Sequence, residues 1–272
     1  MTTGINKVGV IGAGAWGTAL ASLAVRAGRE VILWARSDEI CSAINDQHRN
    51  EIYLPGIKLP QGLRATTNPQ DLSDLDMVLL ATPAQAMRAV LESFSSVLPP
   101  DIPAVINSRG IERHTGDYLS EVIVQTIPAL VPAVLSGPSF AADVTRGLPT
   151  AVTVAAEQIE TGRLIAGALT VPAFRIYAST DLKGVQLCGT VKNVLAIACG
   201  ICEGKELGDS ARAALITRGF AELSRLAAAE GVSPATLSGL SGLGDLILTC
   251  SSRQSRNFSL GVALGQGASL AD

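Results

Sequence analysis

Residues Lys7 to Ala24 read KVGVIGAGAWGTALASLA, and their order decides the fold of the N-terminal half of the chain. A short β-branched run, Lys7 to Ile11, leads without a spare residue into three glycines at G-x-G-x-x-G spacing. A small, apolar stretch with helical character comes next. Strand, glycine turn and helix in immediate succession give that spacing its meaning. Gly12 permits the tight turn out of the strand, Gly14 lets backbone approach a pyrophosphate, and Gly17 lets the helix pack on the sheet. The helix start, with Ala15 and Trp16, offers free N–H groups and partial positive charge to phosphates.

Working outward, strands and helices alternate. Glu30 to Trp34 is a second strand, Ser37 to Asn45 a helix and Leu63 to Thr66 a short strand. Asp76 to Ala81 is a buried strand, after which Pro83 suits the first position of a helix over Ala84 to Val97. Ile102 to Asn107 is a strand with Ser108-Arg109-Gly110-Ile111-Glu112 at its carboxyl end, where open α/β sheets bind ligands. A helix over Thr115 to Ile127, capped by Thr115 and Asp117, precedes a strand from Ala133 that runs into Ser136-Gly137-Pro138-Ser139-Phe140. Further strands fall at Thr150 to Ala155 and Phe174 to Ala178. This pattern predicts an α/β, Rossmann-like, doubly wound sheet over residues 1–180.

Beyond residue 180 no convincing strand appears. Val185 to Gly204 and Ser210 to Glu230 read as long helices closed by Gly204 and Gly231, with shorter helices over Pro234 to Cys250 and Ser255 to Leu264. An all-α C-terminal domain over 181–272 is therefore expected, its first helix apolar nearly all round and deeply buried.

Composition narrows the function. The chain has 272 residues, 47% hydrophobic and 17% charged, which excludes global disorder. A net charge of −3 with scattered basic residues excludes a nucleic-acid surface. Met1 to Asn6 carry no basic leader, and no run of eighteen apolar residues points to a membrane span. Five cysteines, an odd number in a chain of this size, fit a reducing cytoplasm. Cys199 and Cys202 have C-x-x-C spacing but no second pair, and His48 and His114 join no ligand-spaced cluster, so no metal is expected.

Where an acid would grip an adenine ribose after the second strand, the chain has Ala35-Arg36. Asp38 and Glu39 come late and suit the first turn of a helix. Arg36 would suit a 2′-phosphate, which mildly favours NADP(H) while leaving NAD(H) open. In the second half, Lys192 lies among Val191, Val194, Leu195 and Ile197, where burial disfavours its charged form and suits it to acid–base work. Gly239 to Gly244 form a glycine-rich loop ending in Asp245, able to cap a helix or pair with the lysine. Arg256 and Asn257 at a helix start suit a phosphate.

The segments GAGAWGTALA (12–21), LWAR (33–36), YLPG (53–56), LSGPSF (135–140), GLPTAVTV (147–154), VKNVLAI (191–197), GDSARAALITRG (208–219), GLSGLGDLILTC (239–250) and SRN (255–257) together resemble the bacterial-type NAD(P)-dependent glycerol-3-phosphate dehydrogenases. The motifs lie in order from residue 7 to the end. The resemblance implies reversible hydride transfer between NAD(P)H and dihydroxyacetone phosphate, giving sn-glycerol 3-phosphate for glycerophospholipid synthesis. It implies Lys192 as general acid/base with Asp245 holding it. It implies Gly137, Ser139, Ser255, Arg256 and Asn257 as substrate contacts. Gly12, Gly14, Ala15, Trp16, Gly17, Arg36, Ala141 and Arg256 would be cofactor contacts, and Arg109 a contact to both. The family carries lysine where Arg109 stands, and a longer, non-ionisable fork keeps the charge but changes the fit. Its members continue for several dozen helical residues past the point matched by Asp272, including an acid near the cofactor. A hydroxy-acid dehydrogenase of similar plan and a catalytically weak NAD(P)-binding relative are the competing readings. The apolar helices after 180 leave open a homodimer interface or a contact between domains.

Overall fold

The computed structural model describes residues 4–269. The chain divides into two compact units. One holds residues up to Leu135 and Ser139–Leu182. The other holds Ser136–Pro138 and the residues from Lys183 onward.

The first unit is built on an eight-stranded sheet. Its strands are β1 (Lys7–Ile11), β2 (Glu30–Trp34), β3 (Leu63–Thr66), β4 (Met77–Leu80), β5 (Pro103–Ile106), β6 (Val131–Ser136), β7 (Thr150–Ala156) and β8 (Phe174–Ser179). They lie in the order β3-β2-β1-β4-β5-β6-β7-β8. β1 pairs in parallel with β2 and β4, β2 with β3, β4 with β5, β5 with β6, and β7 with β8. Chain order reverses between β1 and β4, which makes the carboxyl end of β1 a switch point where ligands of such sheets bind. β4 and β5 are buried at every residue, as strands covered on both faces must be, and read as continuous apolar runs. β8 lies at one edge, and its burial alternates over Phe174, Arg175, Ile176 and Tyr177, with Arg175 over the Tyr177 ring.

Helix α1 (Ala15–Arg26) presents Ala19, Leu20, Leu23 and Ala24 to the core without exposure. Its small residues allow the close approach of α5 (Ala141–Arg146), whose last carbonyls receive the Arg26 guanidinium at Val144 and Thr145. Helix α2 (Asp38–Gln47) starts where Ser37 caps the Ile40 N–H. Helix α6 (Ile159–Leu169) covers β7 and β8.

Two expected helices begin elsewhere. Pro83 stands just before a 3₁₀ turn, Ala84–Ala86, and α3 proper is Met87–Phe94. Helix α4 is Leu119–Thr126, not a helix from Thr115. Thr115 donates instead to the Glu112 carboxylate, and the Tyr118 N–H is met by Glu121 reaching back from the first turn.

The second unit is helical: α7 (Leu182–Gly204), α8 (Asp209–Ala229), α9 (Pro234–Ser238), α10 (Asp245–Ser251) and α11 (Arg256–Gly265). Gly231 has φ +72° just past α8, the left-handed stop expected of it. Gly204 is not such a stop. It is the last residue of α7, and a Cβ there would lie 2.3 Å from the Val262 carbonyl oxygen. Gly200 and Gly261 make the same close approach, so α7 and α11 cross backbone to backbone. Helix α7 is long and apolar enough by composition to cross a membrane, which the sequence reading missed, and 56% of its most apolar window is buried. It is buried all round over Gly184 to Gly189, as its composition suggested, and opens to solvent further along, with Val194 70% exposed.

Candidate active site

The glycine turn has the geometry its sequence implied. Gly12 adopts φ +112°, and a Cβ there would press on the Ala81 carbonyl oxygen at 2.9 Å, so both conformation and space demand glycine. At Gly17 a Cβ would strike the Gly12 carbonyl oxygen at 1.8 Å. Gly14 differs: nothing lies within 4 Å of its Cβ position, and α1 begins there with no side-chain cap. An open cradle at an uncapped helix N-terminus fits a pyrophosphate. Ala15 and Trp16 open the helix, and the buried Trp16 Nε1 has no hydrogen-bond partner among the described residues. Asn50, buried behind the turn, donates from Nδ2 to the Ala13 carbonyl at 3.0 Å and to Thr18 Oγ1 at 2.9 Å.

Arg36 is exposed just after β2. Asp38 and Glu39 fall in the first turn of α2, as their late position suggested, and Asp38 also accepts from Thr67 Oγ1 at 2.7 Å. Arg109 is half-buried in the loop after β5, Ser139 is half-buried, and Ala141 opens α5.

In the second unit Lys192 and Asp245 come together. Nζ stands 2.6 Å from Asp245 Oδ2, and the two side chains are 9% and 2% exposed. A lysine reaching out of the helix to water is thereby excluded. Two charges this far from solvent are tolerable only as a pair with further hydrogen bonds. Thr249 supplies one of them. Its Oγ1 accepts from Lys192 Nζ at 3.1 Å and donates to the Asp245 carbonyl at 2.6 Å. The sequence reading overlooked Thr249, although its place four residues after Asp245 on one helix face was a legible signal.

The glycine-rich stretch before Asp245 is not a loop. Leu240–Gly244 form a π-helical turn continuous with α10. Gly242 sits so close to the preceding turn that a Cβ would meet the Leu237 carbonyl oxygen at 1.9 Å. Turns of this kind recur at functional sites, and this one leads directly into Asp245. Ser241 Oγ donates to the Ser136 carbonyl at 3.0 Å, next to Gly137 at φ +153°.

At the start of α11, Ser255 Oγ accepts from the Phe258 N–H at 3.3 Å, which leaves the hydroxyl proton to donate. Arg256 is exposed. Asn257 Nδ2 donates to Asn193 Oδ1 at 2.8 Å, fastening α11 beside the residue that follows Lys192. Asn193 had no role in the sequence reading. Of the cysteines, Cys199 faces Cys250 rather than its C-x-x-C partner, and their hydrogen bond, with burial, holds the Cys250 thiol well above its usual range. Among the described residues no three His, Cys, Asp or Glu side chains gather as a metal site.

A Rossmann-type unit with an open phosphate cradle, joined to a helical unit holding a buried lysine–carboxylate pair, defines a two-part nicotinamide-dinucleotide oxidoreductase. Residues 7–162 match the NAD-dependent glycerol-3-phosphate dehydrogenase N-terminus, and residues 181–272 match the C-terminus of the same family. A glycerol-3-phosphate dehydrogenase (NAD(P)+) of Parvibaculum lavamentivorans is 54% identical over 99% of this chain and 81% of its own length. One from Caulobacter vibrioides is 55% identical over 97% of this chain and 80% of its own. The crystal structure of glycerol-3-phosphate dehydrogenase from Coxiella burnetii superposes with a TM-score of 0.92 at 38% identity, covering 97% of this chain and 81% of that one. The chain belongs to the NAD-dependent glycerol-3-phosphate dehydrogenase family.

Proposed function

We propose that the chain reduces dihydroxyacetone phosphate to sn-glycerol 3-phosphate, reversibly and with NAD(P)H, and so feeds glycerophospholipid synthesis. The observation that carries this reading is the buried Lys192–Asp245 pair with Thr249 bonded to both. The nicotinamide cofactor, when bound, supplies the hydride that reaches C2 of the ketone. As the hydride arrives, the Lys192 ammonium offsets the alkoxide character that develops at the C2 oxygen, and Nζ donates its proton there, leaving the neutral amine. Asp245 and Thr249 fix Nζ, so little reorganisation accompanies the transfer. In the oxidation direction the neutral amine takes the proton back.

The cofactor's pyrophosphate is held by Gly12, Gly14, Ala15 and Gly17, with Trp16, Ala141 and Arg256 as further contacts. Gly137, Ser139, Ser255, Arg256 and Asn257 hold the substrate. Arg109 contributes a phosphate contact through its fork and touches the cofactor as well. Arg36 favours NADP(H). The support is that Asp38 is committed to Thr67 while Arg36 is exposed at the strand end. Residues 1–180 form the cofactor domain and residues from 181 the catalytic one. A cytoplasmic setting is supported by five cysteines that are all free. A homodimer is supported by the exposed Val194, Leu207, Ile247 and Leu260. Light scattering at the chain mass would overturn the dimer.

Steady-state rates with dihydroxyacetone phosphate and a panel of 2-oxo and 3-oxo acids, each with NADPH and NADH, test the reading. Turnover of the triose phosphate and a higher kcat/KM with NADPH are expected. Turnover of an oxo acid alone would overturn it.

A further inference from the structure

The loop that carries Arg109 is clamped from one side. Gln85, in the turn before α3, makes two bonds to its backbone. Its Nε2 donates to the Ile111 carbonyl at 2.8 Å, and its Oε1 accepts from the Arg113 N–H at 2.9 Å. Three residues along, Arg88 grips Glu112 with two parallel bonds, Nε to Oε1 at 2.8 Å and Nη2 to Oε2 at 2.7 Å. Gln125 accepts from Arg88 and donates to Asp117, whose carboxylate lies 3.9 Å from Arg88, and Thr115 donates to Glu112. On the other side of Arg109, Ser108 Oγ donates to the Thr82 carbonyl. Between these ties Gly110 takes φ +138°, and a Cβ there would stand 3.2 Å from that of Ala84. Residues 108 and 111–113 are therefore fixed to the end of β4 and the start of α3, and Arg109 is bracketed by them.

We propose that Gln85 and the Arg88–Glu112 pair are positioning residues that present the Arg109 guanidinium to the substrate phosphate. This rests on the reading of Arg109 as a phosphate contact. A planar fork makes two good bonds only when its root is fixed, and a wandering loop would have to be ordered on binding. The pair acts also through charge. An unengaged carboxylate three residues from Arg109 would compete with a phosphate for the guanidinium. Arg88 occupies it, so the loop faces the ligand as a cation.

The test is a double-mutant cycle in steady-state kinetics with dihydroxyacetone phosphate and NADPH. The set is the unaltered chain, Gln85→Ala, Arg109→Ala and the double variant. Gln85 is exposed, so its loss leaves the core intact. Arg109→Ala should raise KM at least about tenfold, and Gln85→Ala about fivefold with kcat nearly unchanged. Added to Arg109→Ala, Gln85→Ala should change KM no further, because it acts only through that side chain. Arg88→Met should reproduce the KM effect of Gln85→Ala, and the charge-exchanged pair Arg88→Glu with Glu112→Arg should recover part of it. An undiminished Gln85→Ala effect in the Arg109→Ala background overturns the positioning role. So does an unchanged KM in Gln85→Ala while Arg109→Ala raises it. A flat KM in Arg109→Ala overturns the phosphate reading itself, and the positioning role with it.

Discussion

A lysine in the middle of an apolar helix meets the Asp245 carboxylate and the Thr249 hydroxyl there. Removing either charge alone strands the other out of water, so Asp245→Ala should lower stability by about 3 kcal/mol in denaturant titrations. Lys192→Met combined with Asp245→Leu fills the same space without charge and should recover most of that stability while turnover stays absent. Recovered turnover would show the pair to be structural only. Glu112 carries a second residue-scale prediction. Its bidentate bonds from Arg88, then that from Thr115, hold its carboxyl down to about 2. A depressed carboxylate pKa contributes stability that is complete above its ordinary value and is lost as pH falls through the folded value. Glu112→Gln should therefore melt below the unaltered chain at neutral pH. That gap should close progressively from about pH 4.5 towards pH 2. A gap that persists unchanged to pH 2 would contradict the assignment.

Helices α7 and α11 meet through Gly200, Gly204, Gly261 and Gly265, and each Cβ position there lies within 2.6 Å of a facing carbonyl oxygen. Backbone cannot give way as a side chain can. Gly261→Ala should cost about 2 kcal/mol or more and also raise KM for the triose phosphate, because Ser255, Arg256 and Asn257 start α11. Gly167, inside α6 with nothing within 4 Å of its Cβ position, provides the contrast. Gly167→Ala should stabilise by up to about 1 kcal/mol. Thermal melting of both variants checks the pair of signs. The same glycines explain what sequence could and could not show. Strand β2 was legible residue for residue, because a short apolar run between turn residues has few alternatives. The turn at Gly12 was legible because its conformation is local. Gly239 to Gly244 were read as a loop because glycine usually signals one. Here Gly242 serves a close approach inside a π turn, which only the packed helix reveals. Thr115 looked like a cap, but Glu112 claims it through a network gathered from three elements. The ion pair of Lys192 with Asp245 spans 53 residues of sequence, and spacing alone could offer it only as one of two roles for the aspartate.

At the scale of the molecule, the proposed function gives the dinucleotide cradle to one unit and the acid–base pair to the other, and each part can be disabled separately. No described atom lies within 4 Å of the Gly14 Cβ position, so the unliganded Gly14→Val protein should melt close to the unaltered chain. The added side chain fills the space left for a pyrophosphate, so the stabilisation by NADPH should disappear. That stabilisation amounts to about 2.7 kcal/mol at a hundredfold excess over Kd. A Gly14→Val variant still stabilised by NADPH would place the cofactor elsewhere. Disabling the acid–base pair should do the converse, leaving the cofactor bound and the chemistry absent. The most direct test is NADPH oxidation with dihydroxyacetone phosphate by Lys192→Ala beside the unaltered chain, with NADPH affinity measured by fluorescence on both. Turnover should fall by about a thousandfold while NADPH binding stays close to that of the unaltered chain. Turnover preserved in Lys192→Ala would contradict the account.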